Sequence, residues 1–82
     1  MNKEHVLFHL KEAHDALEKM IQEIENDPEY ANLEYWGEMR HLYYHVNTAW
    51  NGRHATPEEA EECSEENFDR WRQYPGDDLE LF

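Results

Sequence analysis

Four of the six histidines in this 82-residue chain form two pairs, His5/His9 and His41/His45, in which the members are four residues apart. On an α-helix this spacing brings both side chains to one face. Two imidazole nitrogens on one face can chelate Zn²⁺, Ni²⁺ or Cu²⁺. Glu38 precedes His41 by three residues, a spacing also found in dimetal carboxylate bundles. These five residues are the candidate ligands of one alternative function, a histidine-rich metal-binding bundle.

The predicted packing of the helices argues against a metal centre. A second helix over residues 33–51 would bury a row of large apolar residues, and Glu38, His41 and His45 would then point away from the core. That row consists of Trp36, Met39, Tyr43, Val46 and Trp50. In an antiparallel hairpin of these helices, residues whose numbers sum to about 58 lie level, so His14 rather than His9 would approach His45. We therefore expect exposed or boundary histidines that do not face each other, and no bound cofactor.

Acidic residues concentrate toward the C-terminal end. The chain has 20 Asp and Glu against 7 Lys and Arg, a net charge of −13 at neutral pH. On a predicted third helix, the acidic residues near this end would share one face. A face that carries charge of a single sign favours encounter with a partner of opposite charge. The predicted partner-binding residues on this face are Glu58, Glu61, Glu62, Glu65, Glu66 and Asp69. We expect a basic protein partner; the alternative is a solvated face that serves solubility.

The same charge bears on nucleic-acid function in two ways. A chain this acidic repels a phosphate backbone, so direct binding to nucleic acid is not expected. A row of carboxylates can also imitate the charge of a DNA backbone. A DNA-mimic inhibitor of a nucleic-acid-binding protein is therefore a further alternative function.

The segment Asp78-Leu79-Glu80-Leu81-Phe82 follows the helix-breaking pair Pro75-Gly76. Terminal peptides of this kind are accessible to recognition. The segment resembles the bacterial sliding-clamp-binding peptide, usually Gln-Leu-Ser/Asp-Leu-Phe, and the acidic, hydrophobic tails by which T4-like phage polymerases and late-transcription coactivators hold their clamp. The resemblance covers five residues, with Asp78 where glutamine is usual, and implies that Leu79, Leu81 and Phe82 anchor a clamp-like partner. The alternative is that these side chains fold back on the bundle.

The sequence lacks the patterns that enzymatic chemistry requires. The lone Cys63 is expected on an apolar helix face among carboxylates, which do not activate a thiol. The three glycines form no phosphate-binding loop. We therefore expect no catalysis. One cysteine forms no internal disulfide, and the longest apolar run has three residues, so we also expect a cytoplasmic protein without a membrane segment.

Three amphipathic helices are predicted to position these residues, at about 3–26, 33–51 and 57–74 of a single domain over 1–76, with an acidic and apolar tail at 77–82. The first helix shows a row of apolar residues at helical spacing. This row is Val6, Leu10, Ala13, Leu17, Met20 and Ile24. Asn51-Gly52 predicts a left-handed end of the second helix, and Thr56-Pro57-Glu58-Glu59 predicts a capping box at the start of the third.

Three such helices joined by short loops pack most simply as an antiparallel three-helix bundle. A domain of this size buries only about 60% of its unfolded surface, so completion of the bundle by homodimerisation is also expected. The sequence thus favours a small acidic interaction or adaptor module. It would bind its partner through the third helix, the terminal peptide or both.

Overall fold

The computed structural model of the protein describes residues 1–61 and 65–73, and this part is all-helical. Its helices are α1 (Lys3–Asn26), α2 (Asn32–Asn51), α3 (Pro57–Glu61) and α4 (Glu65–Trp71). The predicted all-α class is confirmed, and α1 and α2 begin and end within one residue of the predicted positions. None of the four helices is long and apolar enough to cross a membrane.

Local hydrogen bonds explain where the helices start. The Asn2 side chain accepts a hydrogen bond from the His5 amide at 3.1 Å and donates one to the Ala55 carbonyl at 2.9 Å. The capping box of α3 is present: the Glu59 amide donates to Thr56 Oγ1 at 3.1 Å, and the Thr56 amide donates to Glu59 Oε1 at 3.0 Å. Both devices satisfy amides that the first turn of a helix leaves without partners.

The helices α1 and α2 form an antiparallel hairpin whose inner faces carry small residues and histidines. Ala13 and Met20 of α1 are buried, as are Thr48 and Ala49 of α2. Small side chains allow two helix backbones to approach closely. The interior of the hairpin is therefore built from side chains other than the largest ones in the sequence.

Gly52 ends α2 in a different way from the predicted one. Its φ is −97° and its ψ is 14°, so the expected left-handed conformation is corrected. The residue is needed for space instead. A Cβ at this position would lie 2.8 Å from His5 Nε2 and 3.2 Å from the Trp71 ring, distances that real Cβ atoms do not tolerate without movement of the neighbours.

The predicted single helix over 57–74 is also corrected. Arg70 pairs with the Glu59 carboxylate at 3.1 Å, and Asn67 Nδ2 donates to the Glu59 carbonyl at 3.5 Å. Eight residues of continuous helix would separate Asn67 and Glu59 by about 12 Å, so α4 folds back toward α3. Donation from Asn47 Nδ2 to the Arg72 carbonyl at 2.9 Å holds the end of α4 on α2. The described residues thus form a long hairpin with two short helical segments on one side, and the predicted antiparallel three-helix bundle is not confirmed.

Most of the large apolar residues that were expected to form the core lie on the side of the hairpin that faces away from α4. Of the α1 row only Ala13 and Met20 are buried, and no residue of the α2 row is. We use the name apolar face for the following residues of α1 and α2. They are Leu7, Leu10, Leu17, Ile21, Ile24, Trp36, Met39, Tyr43, Val46 and Trp50.

Candidate functional site

Four histidines meet where α1, α2 and α4 come together. The ring centroids are 4.7 Å apart for His5 and His9, 5.2 Å for His9 and His45, and 4.6 Å for His41 and His45. The Nδ1 atoms of His9 and His45 are 2.9 Å apart, so one of these rings donates a hydrogen bond to the other. The Trp71 ring of α4 lies 5.1 Å from that of His5. We use the name histidine cluster for the four histidines His5, His9, His41 and His45.

This arrangement corrects the expectation that the two pairs do not face each other. His5, His9 and His45 are only 6–7% exposed, whereas His41 and His14 are exposed. The reason is the orientation of α2 about its axis. The side of α2 that carries His45 and Thr48 faces α1, and the row of large apolar residues of α2 does not. Sequence periodicity gave the two pairs but not this rotation, since a row of large residues normally marks the core.

Burial lowers the pKa of all three buried histidines. Desolvation is the main cause and, together with the neighbouring His5 and His45, it lowers the pKa of His9 to about 4. Desolvation also lowers the pKa of His5 and of His45; Glu12 opposes the shift at His45. These imidazoles are therefore neutral at neutral pH, the protonation state in which histidine ligates metals.

The nitrogen atoms of the histidine cluster do not all converge on one point. His5 Nε2 is buried without a hydrogen-bond partner and lies toward the backbone at Gly52. Across residues 1–61 and 65–73, three ligand atoms lie within 4.8 Å of one another only at His14, Asp15 and Glu18, all of which are exposed. The cluster thus offers a two-imidazole clamp at His9 and His45 rather than a closed set of ligands.

Glu38, the remaining candidate ligand, belongs to a group of carboxylates beside the cluster. Its Oε2 accepts a hydrogen bond from the Tyr30 hydroxyl at 3.0 Å. Desolvation, followed by this hydrogen bond, raises the pKa of Tyr30 to about 12. A hydrogen bond with Glu38 is also the main cause that raises the pKa of Glu23. Glu38, His41 and Glu12 line one cavity of about 350 Å³, so the structure brings Glu38 near His41.

The acidic residues are divided between two short segments. Glu58 and Glu61 lie on α3 and Glu65, Glu66 and Asp69 on α4, all of them exposed, while Glu62 lies outside the described residues. Because α4 folds back, they do not share one face of a continuous helix.

Two acidic residues of these segments have basic partners. Asp69 pairs with Arg72 at 3.5 Å. A hydrogen bond from the Thr56 backbone, followed by Arg70, lowers the pKa of Glu59. The terminal anchors Leu79, Leu81 and Phe82 lie outside the described residues.

The apolar face is the feature that sequence reasoning placed in the wrong environment. Eight of its ten residues, all except Met39 and Trp50, are between 41% and 56% exposed. α4 covers the side of α2 that carries Asn47 and Asn51, and the 3.6-residue period places the apolar face on the other side. The periodicity placed eight of these ten residues in the two predicted rows, and Leu7 and Ile21 lie beside the α1 row. Their solvent exposure was not foreseen.

Comparison of the chain with protein families, with curated proteins and with solved structures finds nothing similar.

Proposed function

We propose that this protein is a non-catalytic interaction module and that its binding surface is the apolar face of the hairpin. The observation that carries the proposal is the exposure of eight large apolar side chains on one side of two adjacent helices. At about half of roughly 150–200 Å² each, they expose on the order of 600–800 Å². The largest apolar patch of a typical monomer is about 300–600 Å², and larger ones mark interaction sites.

The composition of the described core supports the same proposal. Its buried apolar residues are Ala13, Met20, Ala49, Ala55 and Trp71, three of which are alanines. An alanine removes little apolar surface from water, so this core contributes less than a core of leucine and isoleucine would. Covering the apolar face would bury the side chains that the hairpin leaves in water. A partner is therefore expected to stabilise the fold as well as bind to it.

The acidic residues of α3 and α4 give the module a second surface. They lie on the side of the hairpin opposite the apolar face and stay accessible when that face is covered. Carboxylates on such a surface select a basic protein partner and speed its encounter. With both surfaces in use, the protein would act as an adaptor that joins two partners.

The test is site-specific photo-crosslinking in the native host, with benzoylphenylalanine in place of Tyr43 on the apolar face. The matched control has the same group in place of Leu33, which is 76% exposed but belongs to neither apolar row. We expect a crosslinked product from position 43 and none from position 33. No product from position 43, or equal products from both, would contradict the proposal.

We propose metal binding as a second candidate function because His9 and His45 hold two neutral imidazole nitrogens 2.9 Å apart. A tetrahedral ion with ligands at about 2.0–2.1 Å needs its nitrogens slightly farther apart, so a small opening of this pair would admit one. The imidazole donors favour Zn²⁺, Ni²⁺ or Cu²⁺ over Mg²⁺ or Ca²⁺.

Tag-free protein titrated with Zn²⁺ in a calorimeter tests the clamp. We expect one equivalent to bind to the wild type and to H54Q, an exposed-histidine control, and none to bind to H45Q. Absence of binding to the wild type, or unchanged binding to H45Q, would rule out the clamp.

A further inference from the structure

We propose that the occupant of the apolar face is a second copy of this chain, and that the two hairpins form a four-helix bundle with their loops at opposite ends. The inference rests on the proposed function, because it names the partner of the same surface. Three observations carry it: the spacing of the apolar rows, the exposed area, and the distribution of charge along α1.

Both rows have the spacing of helices that pack side by side in bundles. Alternating steps of four and three residues run along each helix, the pattern of bundle and coiled-coil seams. On α1 the steps fall at 3, 7, 10, 14, 17, 21 and 24, all of them apolar except Lys3 and His14. On α2 they fall at 32, 36, 39, 43, 46 and 50, all of them apolar except Asn32. The rows span nearly the full 24 and 20 residues of the two helices. A second hairpin of the same length would therefore cover the face from end to end.

The exposed area matches what a stable dimer requires. The eight exposed side chains offer on the order of 600–800 Å² per copy, and a standard protein interface buries about 800 Å² on each partner. No position of the α2 row, from Asn32 to Trp50, carries a carboxylate, although the chain has 20 acidic residues. Most of the negative charge thus lies away from the interface, where salt screens repulsion between copies.

Charge along the edge of α1 favours the antiparallel arrangement. Lys3 and Lys11 lie in the first half of the helix, and Glu18 and Glu25 in the second. Within residues 1–61 and 65–73 none of these four side chains forms an ion pair. Two α1 helices crossing antiparallel about His14 would bring Lys3 level with Glu25 of the partner subunit and Lys11 beside Glu18 of the partner subunit. Each of these four charges would then meet an opposite one.

The alternative arrangement, with both loops at the same end, lacks this complementarity. It would set α1 against α2 of the other copy and place Lys3 near Arg53 of the partner subunit, because the Asn2 amide already donates to the Arg53 carbonyl within one hairpin. Like charges at an interface disfavour association. The second copy with opposed loops is thus the occupant that satisfies the shape and charge of the face.

The first experiment measures the mass of the purified full chain by sedimentation equilibrium at protomer concentrations up to about 100 μM. We expect twice the chain mass of 10.0 kDa for the wild type and for the off-face control L33E, and 10.0 kDa for I21E. Circular dichroism of each variant checks that its helices are retained. A wild-type monomer, or an I21E dimer, would overturn the inference.

A charge-swap series tests the arrangement with substitutions at exposed positions. K3E and E25K are each expected to weaken the dimer roughly threefold to tenfold, since each disrupts two symmetry-related exposed pairs. The double variant K3E/E25K should restore wild-type affinity. Absence of this rescue would overturn the opposed-loop arrangement. A wild-type monomer together with a crosslink from position 43 to another protein would overturn only the second copy and leave the proposed function standing.

Discussion

Acidification is expected to destabilise the fold through the histidine cluster, most strongly at His9. The ordinary pKa of histidine is 6.5, and burial with two histidine neighbours lowers that of His9 to about 4. Above pH 6.5 the ring is neutral in both the folded and the unfolded chain, so its protonation does not lower the free energy of unfolding. Between pH 6.5 and about 4 only the unfolded chain binds the proton, which favours unfolding.

The size of this effect follows from the two pKa values. A ring with a pKa of 6.5 unfolded and about 4 folded costs at most roughly 3 kcal/mol of unfolding free energy by pH 4, where the loss levels off. A domain of this length has a total stability of about 4–12 kcal/mol, so one residue can remove a substantial part of it. Burial also lowers the pKa of His5 and of His45. At His45 the nearby Glu12 of α1 opposes this lowering of the pKa.

The assay is urea unfolding followed by circular dichroism between pH 7.5 and pH 4, with EDTA present and a fixed protomer concentration. We expect the unfolding free energy of the wild type to fall by up to about 3 kcal/mol more than that of H9Q, which has no imidazole at this position. H54Q, which changes an exposed histidine, should follow the wild type. Equal pH dependence in the wild type and H9Q would show that protonation of His9 does not destabilise the fold.

Three further substitutions test the packing around the hairpin by urea unfolding at neutral pH. G52A should lose about 1–3 kcal/mol, because its Cβ would crowd His5 and Trp71, whereas G37A, with nothing within 4 Å, should gain up to about 1 kcal/mol; equal effects would contradict this. T56A should cost about 1 kcal/mol by removing the cap of α3, and T56S should retain it; an unchanged T56A would show that the capping box contributes nothing. N47A should cost about 1–3 kcal/mol, because it leaves a carbonyl at the end of α4 without its donor; an unchanged N47A would contradict this hydrogen bond.

Features determined by local chemistry could be predicted from the sequence. The bounds of α1 and α2 follow from helical periodicity, and the cap at Thr56 and Glu59 forms because both partners lie within one turn. The reversal between α3 and α4 depends on the contacts of Asn67 and Arg70 with Glu59. Such contacts join two separate helical segments, and periodicity along the chain does not predict them.

The rotation of α2 could not be predicted for a different physical reason. A row such as Trp36, Tyr43 and Val46 shows which residues avoid water but not whether they contact their own chain or another one. The hairpin instead uses small residues and paired histidines for its closest approach, so His9 and His45 became interior. The same choice left the apolar face open. The histidine cluster and the exposure of the apolar residues of α2 are thus two consequences of one rotation.

The most direct test of the central claim is a crosslinking scan along α2, with the photo-reactive group placed in turn at Tyr43, Val46 and Leu33. We expect products from the two positions on the apolar face, with twice the 10.0 kDa chain mass, and none from Leu33. Products that do not distinguish the apolar face from Leu33, or no products at any position, would contradict it.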